Sequence, residues 1–244
     1  PWKGSTTSAH MVGNGAREAL IKFNVDKKPF NGQYIYNGYT LDLGGLTCSS
    51  PVEYPAGDGN NISVELQCDM SGIAAGQNYT AKLTAQEYRA SNPANVRTYI
   101  ANYSVTTYDA ADATSANAVD QAVDDGLWWI HKNLKRVSRA NGSNAFKNAY
   151  LENNHWSPGI ISEALALQGL ADQGYTQTST ADTLYKRDVG YLVNEITYML
   201  ASAPTPMLDD GVANGPDMNA DNTVVFPYHD HLEYELGIVP RALA

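Results

Sequence analysis

A run of alternating side-chain oxygens in the last third of the chain is the cluster best suited to bind an ion. Asp217, Asn219 and Asp221 lie two residues apart, with Asp209 and Asp210 a few positions upstream as weaker candidates. Calcium prefers hard oxygen ligands in flexible geometry, so these side chains are a candidate calcium site, and calcium is the one candidate cofactor. The run lacks the sixth-position glycine and the distal glutamate of an EF-hand. A solvated loop of Asx turns is the alternative.

Two histidine segments could also carry chemistry. His229 and His231 would share one face of a strand, as a metal site requires, but on a helix they diverge by about 200°. Because a helix is predicted to begin near Asp230, a capping role for that aspartate is favoured. His155 and Trp156 could bind a sugar, although packing at a helix entrance is the structural alternative. The sequence has no nucleophile elbow, phosphate-binding loop or dinucleotide motif, and we predict no catalytic residue.

Cys48 and Cys68 are the only two cysteines. Both flank strand-like segments, which favours a disulfide that closes a loop of about 20 residues and stabilises the fold by roughly 3 kcal/mol. Two buried free thiols are the alternative. Four N-x-[ST] sequons are candidate glycosylation sites, although an asparagine-rich chain contains several by chance. They begin at Asn61, Asn78, Asn102 and Asn141.

The composition restricts the class of partner. The 244 residues are 43% hydrophobic and 17% charged, with a formal net charge of -10. This charge disfavours nucleic acids and anionic membrane surfaces, because both require a basic patch on the protein. No run of 18 apolar residues occurs, so no membrane span is predicted. The start at Pro1, without Met or a positively charged leader, is expected of a processed form or a fragment. Processing together with the expected disulfide predicts an extracellular or cell-surface protein.

The first half of the chain alternates apolar and polar residues. Residues 1–15 are rich in Gly, Ser and Thr and predict an extended N-terminal arm. Short alternating segments separated by Gly, Pro and Asn follow, which is typical of a β-sandwich, here spanning residues 16–108. The clearest of these segments are 19–25, 33–39, 62–68, 79–85 and 98–107.

Residues 109–116 lose the alternation and predict a linker, after which apolar residues recur with the period of a helix. The pattern predicts helices over about 117–134, 158–174 and 181–202, and a fourth from about residue 230. Gly174 and Pro204 are the expected stop signals of the second and third helices. The expected fold class is therefore an antiparallel β-sandwich followed by an α-helical hairpin domain over residues 117–244.

The passage 71–85 (Ser-Gly-Ile-Ala-Ala-Gly-Gln-Asn-Tyr-Thr-Ala-Lys-Leu-Thr-Ala) sharpens the expected fold of the first half. It resembles the turn and strand of fibronectin type III and related immunoglobulin-like domains, in which a Gly-containing loop leads into a strand whose Tyr packs across the sandwich. Residues 103–107 are similar to the last strand of that fold. The two cysteines are too close in sequence for the inter-sheet bridge of antibody domains, and no Trp lies between them.

The helical half resembles a second family. Residues 122–130 (Ala-Val-Asp-Asp-Gly-Leu-Trp-Trp-Ile) and 155–175 are similar to the prenyltransferase and squalene-oxidase repeat, in which helical hairpins stack into an α/α toroid. The resemblance implies a partial toroid, because four predicted helices cannot close one. The catalytic Asp-x-Asp-Asp motif of the cyclases and the zinc ligands of the prenyltransferases are missing, so the resemblance does not imply their chemistry.

These observations predict a non-catalytic extracellular structural or interaction protein. We expect it to self-assemble, as an oligomer or filament, through the N-terminal arm and the β-sandwich, because an extended segment can add a strand to a neighbouring sheet. The expected partners are copies of itself or other extracellular proteins. A polysaccharide-binding or polysaccharide-degrading protein that uses the helical half, with carbohydrate as its partner, is the alternative, and a lipid or terpenoid binder is a third possibility.

Overall fold

A computed structural model describes residues 8–12, 18–27, 33–70, 73–74, 77–108, 115–139, 147–151, 159–178 and 184–202. The chain forms two compact units, Pro1–Asn133 and Leu134–Ala244. The elements of the first unit are β1 (Ser8–Val12), β2 (Glu18–Asp26), β3 (Tyr34–Asp42), β4 (Thr47–Cys48), β5 (Val52–Pro55), β6 (Asn61–Asp69), β7 (Asn78–Arg89), β8 (Asn92–Tyr108) and α1 (Ser115–Asn133). Those of the second unit are β9 (Leu134–Val137), β10 (Asn148–Leu151), α2 (Gly159–Asp172) and α3 (Leu184–Ser202).

The strands of the first unit form two sheets. Sheet A has the order β1-β8-β7-β3, and sheet B has the order β2-β6-β4, with β5 also paired to β6. Every pair is antiparallel except β1 with β8, which run parallel. Antiparallel sheets in the first half and helices later in the chain confirm the predicted order of β structure followed by α structure.

The period-two alternation buries one face of each sheet. The inward residues of β2, β6, β7 and β8 form one hydrophobic core, to which both sheets contribute. Near its centre the ring of Phe23 meets that of Tyr103 edge to face, with centroids 6.2 Å apart. Full burial of a large apolar side chain contributes about 1.5–3 kcal/mol, so these alternating residues supply most of the stability of the unit. They are Ile21, Phe23, Val25, Ile62, Val64, Leu66, Ala81, Leu83, Ala85, Ala101, Tyr103 and Val105.

A tight turn after β3 depends on two glycines. Gly44 and Gly45 adopt positive φ values of 59° and 90°, a region that L side chains rarely occupy. The backbone N–H of Gly44 donates to Asp42 Oδ1 at 3.2 Å. A Cβ atom at Gly44 would lie 2.5 Å from the carbonyl oxygen of Thr80, whereas one at Gly45 would meet nothing within 4 Å.

We therefore expect Gly44→Ala to lower the free energy of unfolding by about 2 kcal/mol and Gly45→Ala by about 1 kcal/mol. Both variants strain the backbone, but only the first also pushes against the main chain of β7. Urea denaturation of the two variants measures the difference. Equal losses of unfolding free energy in the two variants would show that the backbone of β7 at Thr80 moves away from the new Cβ atom without a cost in stability.

The structure differs from the predicted domain organisation at α1. The periodicity assigns this helix to a helical domain at 117–244, yet the first compact unit includes it. Helical periodicity reveals which residues share a face but not which surface that face contacts, and here the helix packs on sheet B. Of the predicted linker 109–116, the last two residues begin α1, and the others lie outside the described residues.

The second unit contains a strand pair that the helical pattern did not predict. Residues 134–137 form β9 directly after α1 ends, and they pair antiparallel with β10. Four-residue strands are too short to produce a clear period beside a long helix. Helix α2 ends as predicted, since Gly174 has a φ of 80° and the N–H of Tyr175 bonds the carbonyl of Leu170 at 3.1 Å. Nothing in the described part of this unit supports an α/α toroid, and the predicted fourth helix lies outside the described residues.

Candidate functional site

Most of the predicted ligand residues lie outside the described residues. Their roles in binding calcium, another metal or a sugar, and the sequon at Asn141, stay predictions. These residues are His155, Trp156, Asp209, Asp210, Asp217, Asn219, Asp221, His229 and His231. In the part of the chain that is described, no three His, Cys, Asp or Glu side chains are grouped as a metal site would require. None of the described helices is long and apolar enough to cross a membrane.

The predicted disulfide is present. Cys48 in β4 lies directly opposite Cys68 in β6, and the two sulfurs are bonded across a separation of 20 residues. The bridge therefore ties two neighbouring strands of sheet B together and does not link the two sheets, as the short spacing predicted. The described chain has no free cysteine.

The three described sequons differ in the accessibility of the asparagine. Asn78 and Asn102 are exposed on β7 and β8. Asn61 is partly buried, and its side-chain nitrogen donates to the carboxylate of Asp58. Because N-glycosylation modifies that nitrogen, Asn78 and Asn102 are the better placed candidates, and glycosylation of each stays a prediction.

A buried lysine holds α1 to the outer face of sheet B. Lys22 points away from the core, and its side chain is only 1% exposed. Its ammonium group lies 2.7 Å from Asp124 Oδ2 and 2.7 Å from Asp125 Oδ1. Removing a charge from water costs several kcal/mol, and these two helix carboxylates offset that cost. We call these three residues the Lys22 cluster.

Glu65 on β6 collects four further contacts under the same helix. It accepts hydrogen bonds from Lys132 at 2.9 and 3.1 Å, from the indole of Trp128 at 3.0 Å and from the hydroxyl of Tyr54 at 2.8 Å. Burial by itself raises the pKa of Glu65, but these donors outweigh it and lower the pKa below its usual value. A further contact joins Asn24 to His131 at 3.2 Å. The helix is therefore fastened by charged and polar groups in addition to the buried side chains of Leu127 and Trp128.

The second unit has a buried network of acids and arginines between β9 and α3. Arg139 contacts Glu195 through two nitrogens, with Nε at 3.0 and 3.1 Å from the carboxylate oxygens. Arg136 lies 3.8 Å from Asp188. Both acids are almost fully buried. Each of these carboxylates thus has its own arginine.

Glu163 on α2 is a third buried acid and has no arginine of its own. Its side chain is fully buried, and the N–H of Leu151 donates to Oε1 at 3.0 Å. Among the described residues no group bonds the buried Oε2 atom. Burial, together with the negative charge of Glu195, raises the pKa of Glu163 to about 7. A buried carboxyl with this pKa changes its charge near neutral pH, but it has no exposed surface at which to meet a substrate.

The predicted N-terminal arm forms the edge strand of sheet A. Residues 8–12 of the predicted arm pair in parallel with 104–108 of β8, from Ser8 opposite Ser104 to Val12 opposite Tyr108. The arm therefore supplies the edge strand of a sheet whose other members, β8, β7 and β3, come from later in the chain. Only five residues, 13–17, separate it from β2 in sheet B.

Comparisons with known proteins do not identify a family. Neither a scan against protein-family models nor a search of curated proteins produced a match. Among solved structures, the chain is similar to a cysteine protease inhibitor from Entamoeba histolytica. The alignment has 17% identity and a TM-score of 0.23, and it covers 41% of this chain and 84% of that one. A similarity at this TM-score supports no conclusion about fold or function.

The positions of some polar residues within the periodic pattern bear on the buried charges, which the periodicity itself does not predict. Lys22 and Asn24 occupy outward positions of β2, where the alternation by itself predicts exposure to solvent, and only the structure shows that both are buried. Glu163 lies three residues after Ile160 and four before Leu167, on the apolar face of its helix. A charged residue at such a position is expected to be either exposed or paired, and only the structure shows which.

Proposed function

We propose that the chain is a non-catalytic extracellular structural protein that assembles with copies of itself through its N-terminal arm and an immunoglobulin-like β-sandwich. The strand orders support the sandwich. The order β2-β6-β4 of sheet B matches strands B, E and D of an immunoglobulin-like domain. The order β3-β7-β8 in sheet A matches its strands C, F and G. The disulfide supports an oxidising compartment, which is the basis for the extracellular location.

The pairing of β1 with β8 is the observation that carries the proposal. A terminal strand that completes the edge of its own sheet can make the same backbone hydrogen bonds with the sheet of a neighbouring copy. Since the backbone contacts are identical, the choice between the two is decided by protein concentration and by the conformation of the segment 13–17. Repeated exchange in one direction would join the copies into a filament.

Deleting residues 1–12 tests this proposal. We expect the full chain to form oligomers or filaments at high concentration and the shortened chain to remain monomeric, as measured by sedimentation velocity and negative-stain electron microscopy. A shortened chain that assembles as well as the full one would exclude the arm as the assembling element.

A pair of proline variants separates strand pairing from a general effect of the arm. Successive backbone N–H groups of a strand point to opposite sides, so only one of two neighbouring residues donates to β8. We therefore expect one of His10→Pro and Met11→Pro to weaken assembly at least tenfold, and the other to weaken it much less. Equal effects would indicate that the arm acts through something other than a strand ladder.

The alternative function, binding or degradation of a polysaccharide, depends on His155 and Trp156. Both lie outside the described residues, and no described contact favours this function.

A further inference from the structure

The outer face of sheet A differs from that of sheet B because no described element covers it. The register aligns Ile35, Tyr88 and Val96 directly across β3, β7 and β8. Ile100 lies on the same face of β8, four residue pairs further along the register. The exposed fractions of Ile35, Val96 and Ile100 are 44%, 48% and 59%. Exposed apolar side chains that are aligned on one face indicate a surface for a partner, whereas scattered ones do not.

The charge of this face indicates what kind of partner it suits. We consider the part of the outer face that runs from the cross-strand row containing Ile35 to the cross-strand row containing Asp42. The described outward residues there include one acid and one base, Asp42 and Lys82, which lie 3.4 Å apart. The others are apolar or carry hydroxyl, phenol or amide groups. The chain as a whole has a net charge of -10, so two copies repel each other over most of their surfaces. A neutral face removes that repulsion, because the one acid and the one base on it already pair within each copy.

We propose that the outer face of sheet A packs against the same face of a second copy. This inference rests on the proposed self-assembly and names the surface at which two copies meet in addition to the exchanged strand. Continuity supports it, because β1, the exchanged strand, lies at the edge of this same sheet. Strands about 30 Å long, three abreast at about 4.8 Å, present roughly 400 Å² in projection. Since specific interfaces bury about 800 Å² per partner, this contact acts together with strand exchange.

A sequon in the centre of this face, at Asn102, provides an internal check. Asn102 is exposed on the outward side of β8, directly opposite Lys82 of β7. A glycan on Asn102 would hold two such faces apart, so the inference requires an unmodified Asn102 in the assembled protein. Intact mass measurement of the assembled protein tests this requirement.

A matched set of lysine variants tests the surface. Val96→Lys and Ile100→Lys place a charge on the face, whereas Val52→Lys places the same charge on β5 of sheet B, where the valine is equally exposed at 48%. We expect the first two to weaken self-association of the full chain at least tenfold in sedimentation velocity and Val52→Lys to change it less than twofold. Circular dichroism verifies that all three variants remain folded.

The outcomes separate this inference from the proposed function. If the wild-type chain associates and Val96→Lys and Val52→Lys behave alike, the face inference is wrong, while assembly through the arm stands. If association survives deletion of residues 1–12 but is lost in Val96→Lys, the face is correct and the arm is not. A wild-type chain that stays monomeric at millimolar concentration overturns both the assembly through the arm and the packing of the face against a second copy. The partner of the face would then be a different protein.

Discussion

Replacing Asp124 and Asp125 together by asparagine is expected to lower the free energy of unfolding of the first unit by about 3 kcal/mol. The substitution removes both negative charges beside Lys22, whose side chain is 1% exposed. An ammonium group without a counter-charge at that depth must either lose its proton or draw water under α1, and both are unfavourable. The asparagines still accept hydrogen bonds, so the loss is expected at the lower end of the range for a broken buried ion pair.

Urea denaturation followed by tryptophan fluorescence measures this loss, because Trp128 of α1 is buried and its indole N–H donates to Glu65 of sheet B. Lys22→Met is the matched control. It removes the buried charge itself and leaves two carboxylates with exposed fractions of 25% and 42%, which can return to water. We expect this control to lose less stability than the double asparagine variant. The reverse order would show that the aspartates, and not the lysine, bear the cost of burial.

The second large effect is expected from pH. Burial raises the pKa of Glu163 to about 7 in the folded protein, whereas an unfolded glutamate titrates near its ordinary value of 4.5. For a group whose folded pKa is raised, the contribution to stability is complete below the unfolded pKa and is lost as the pH rises through the folded pKa. The second unit should therefore lose about 2 to 3 kcal/mol from Glu163 between pH 5 and pH 8.

Glu163→Gln removes this titration, because glutamine keeps the shape of the protonated acid without its ionisation. We expect the stability difference between the variant and the wild type to grow in favour of the variant from pH 5 to pH 8. Amide hydrogen exchange of α2 and α3 measures it for the second unit by itself. Asp172→Asn, an exposed substitution on the same helix, is the control and should leave the pH dependence unchanged.

The physical reason for this prediction is a charge imbalance in the buried network. Glu195 and Asp188 are each close to an arginine, whereas Glu163 has no described arginine partner of its own. A third buried negative charge would have no arginine of its own to compensate it, so Glu163 carries a proton below neutral pH and loses it as the pH rises through about 7. If Glu163→Gln showed the same pH dependence as the wild type, the proton would have to reside elsewhere in the unit.

Local patterns predicted the parts of the fold that depend on neighbours in sequence. Alternation located β2, β6, β7 and β8, and helical periodicity located the three described helices to within a few residues. The short separation of Cys48 and Cys68 was sufficient to predict a bridge that does not join the two sheets. In each case the determining interaction, a strand pleat, a helical turn or a short loop, lies within about 20 residues of chain.

Long-range placement could not be predicted in this way. The sequence indicated an extended arm, but nothing local identifies residues 104–108 of β8 as its partner, or a parallel orientation. Likewise, the amphipathic pattern of α1 is the same whether the helix packs on other helices or on sheet B. The sheet residues that α1 contacts, Lys22 and Glu65, lie more than 60 residues away in the sequence. The helix residues that contact them are Asp124, Asp125, Trp128 and Lys132.

By itself, then, the sequence determined the order of β and α structure, the disulfide, the negative net charge and the small fraction of charged residues. These properties follow from composition and from short periodic patterns. The tertiary structure alone decided that the arm completes sheet A, that α1 covers sheet B through buried charges, and that none of the described elements covers the outer face of β3, β7 and β8. The reason is that the free energy of a charged or apolar side chain depends on its surroundings, and those surroundings come from distant parts of the chain.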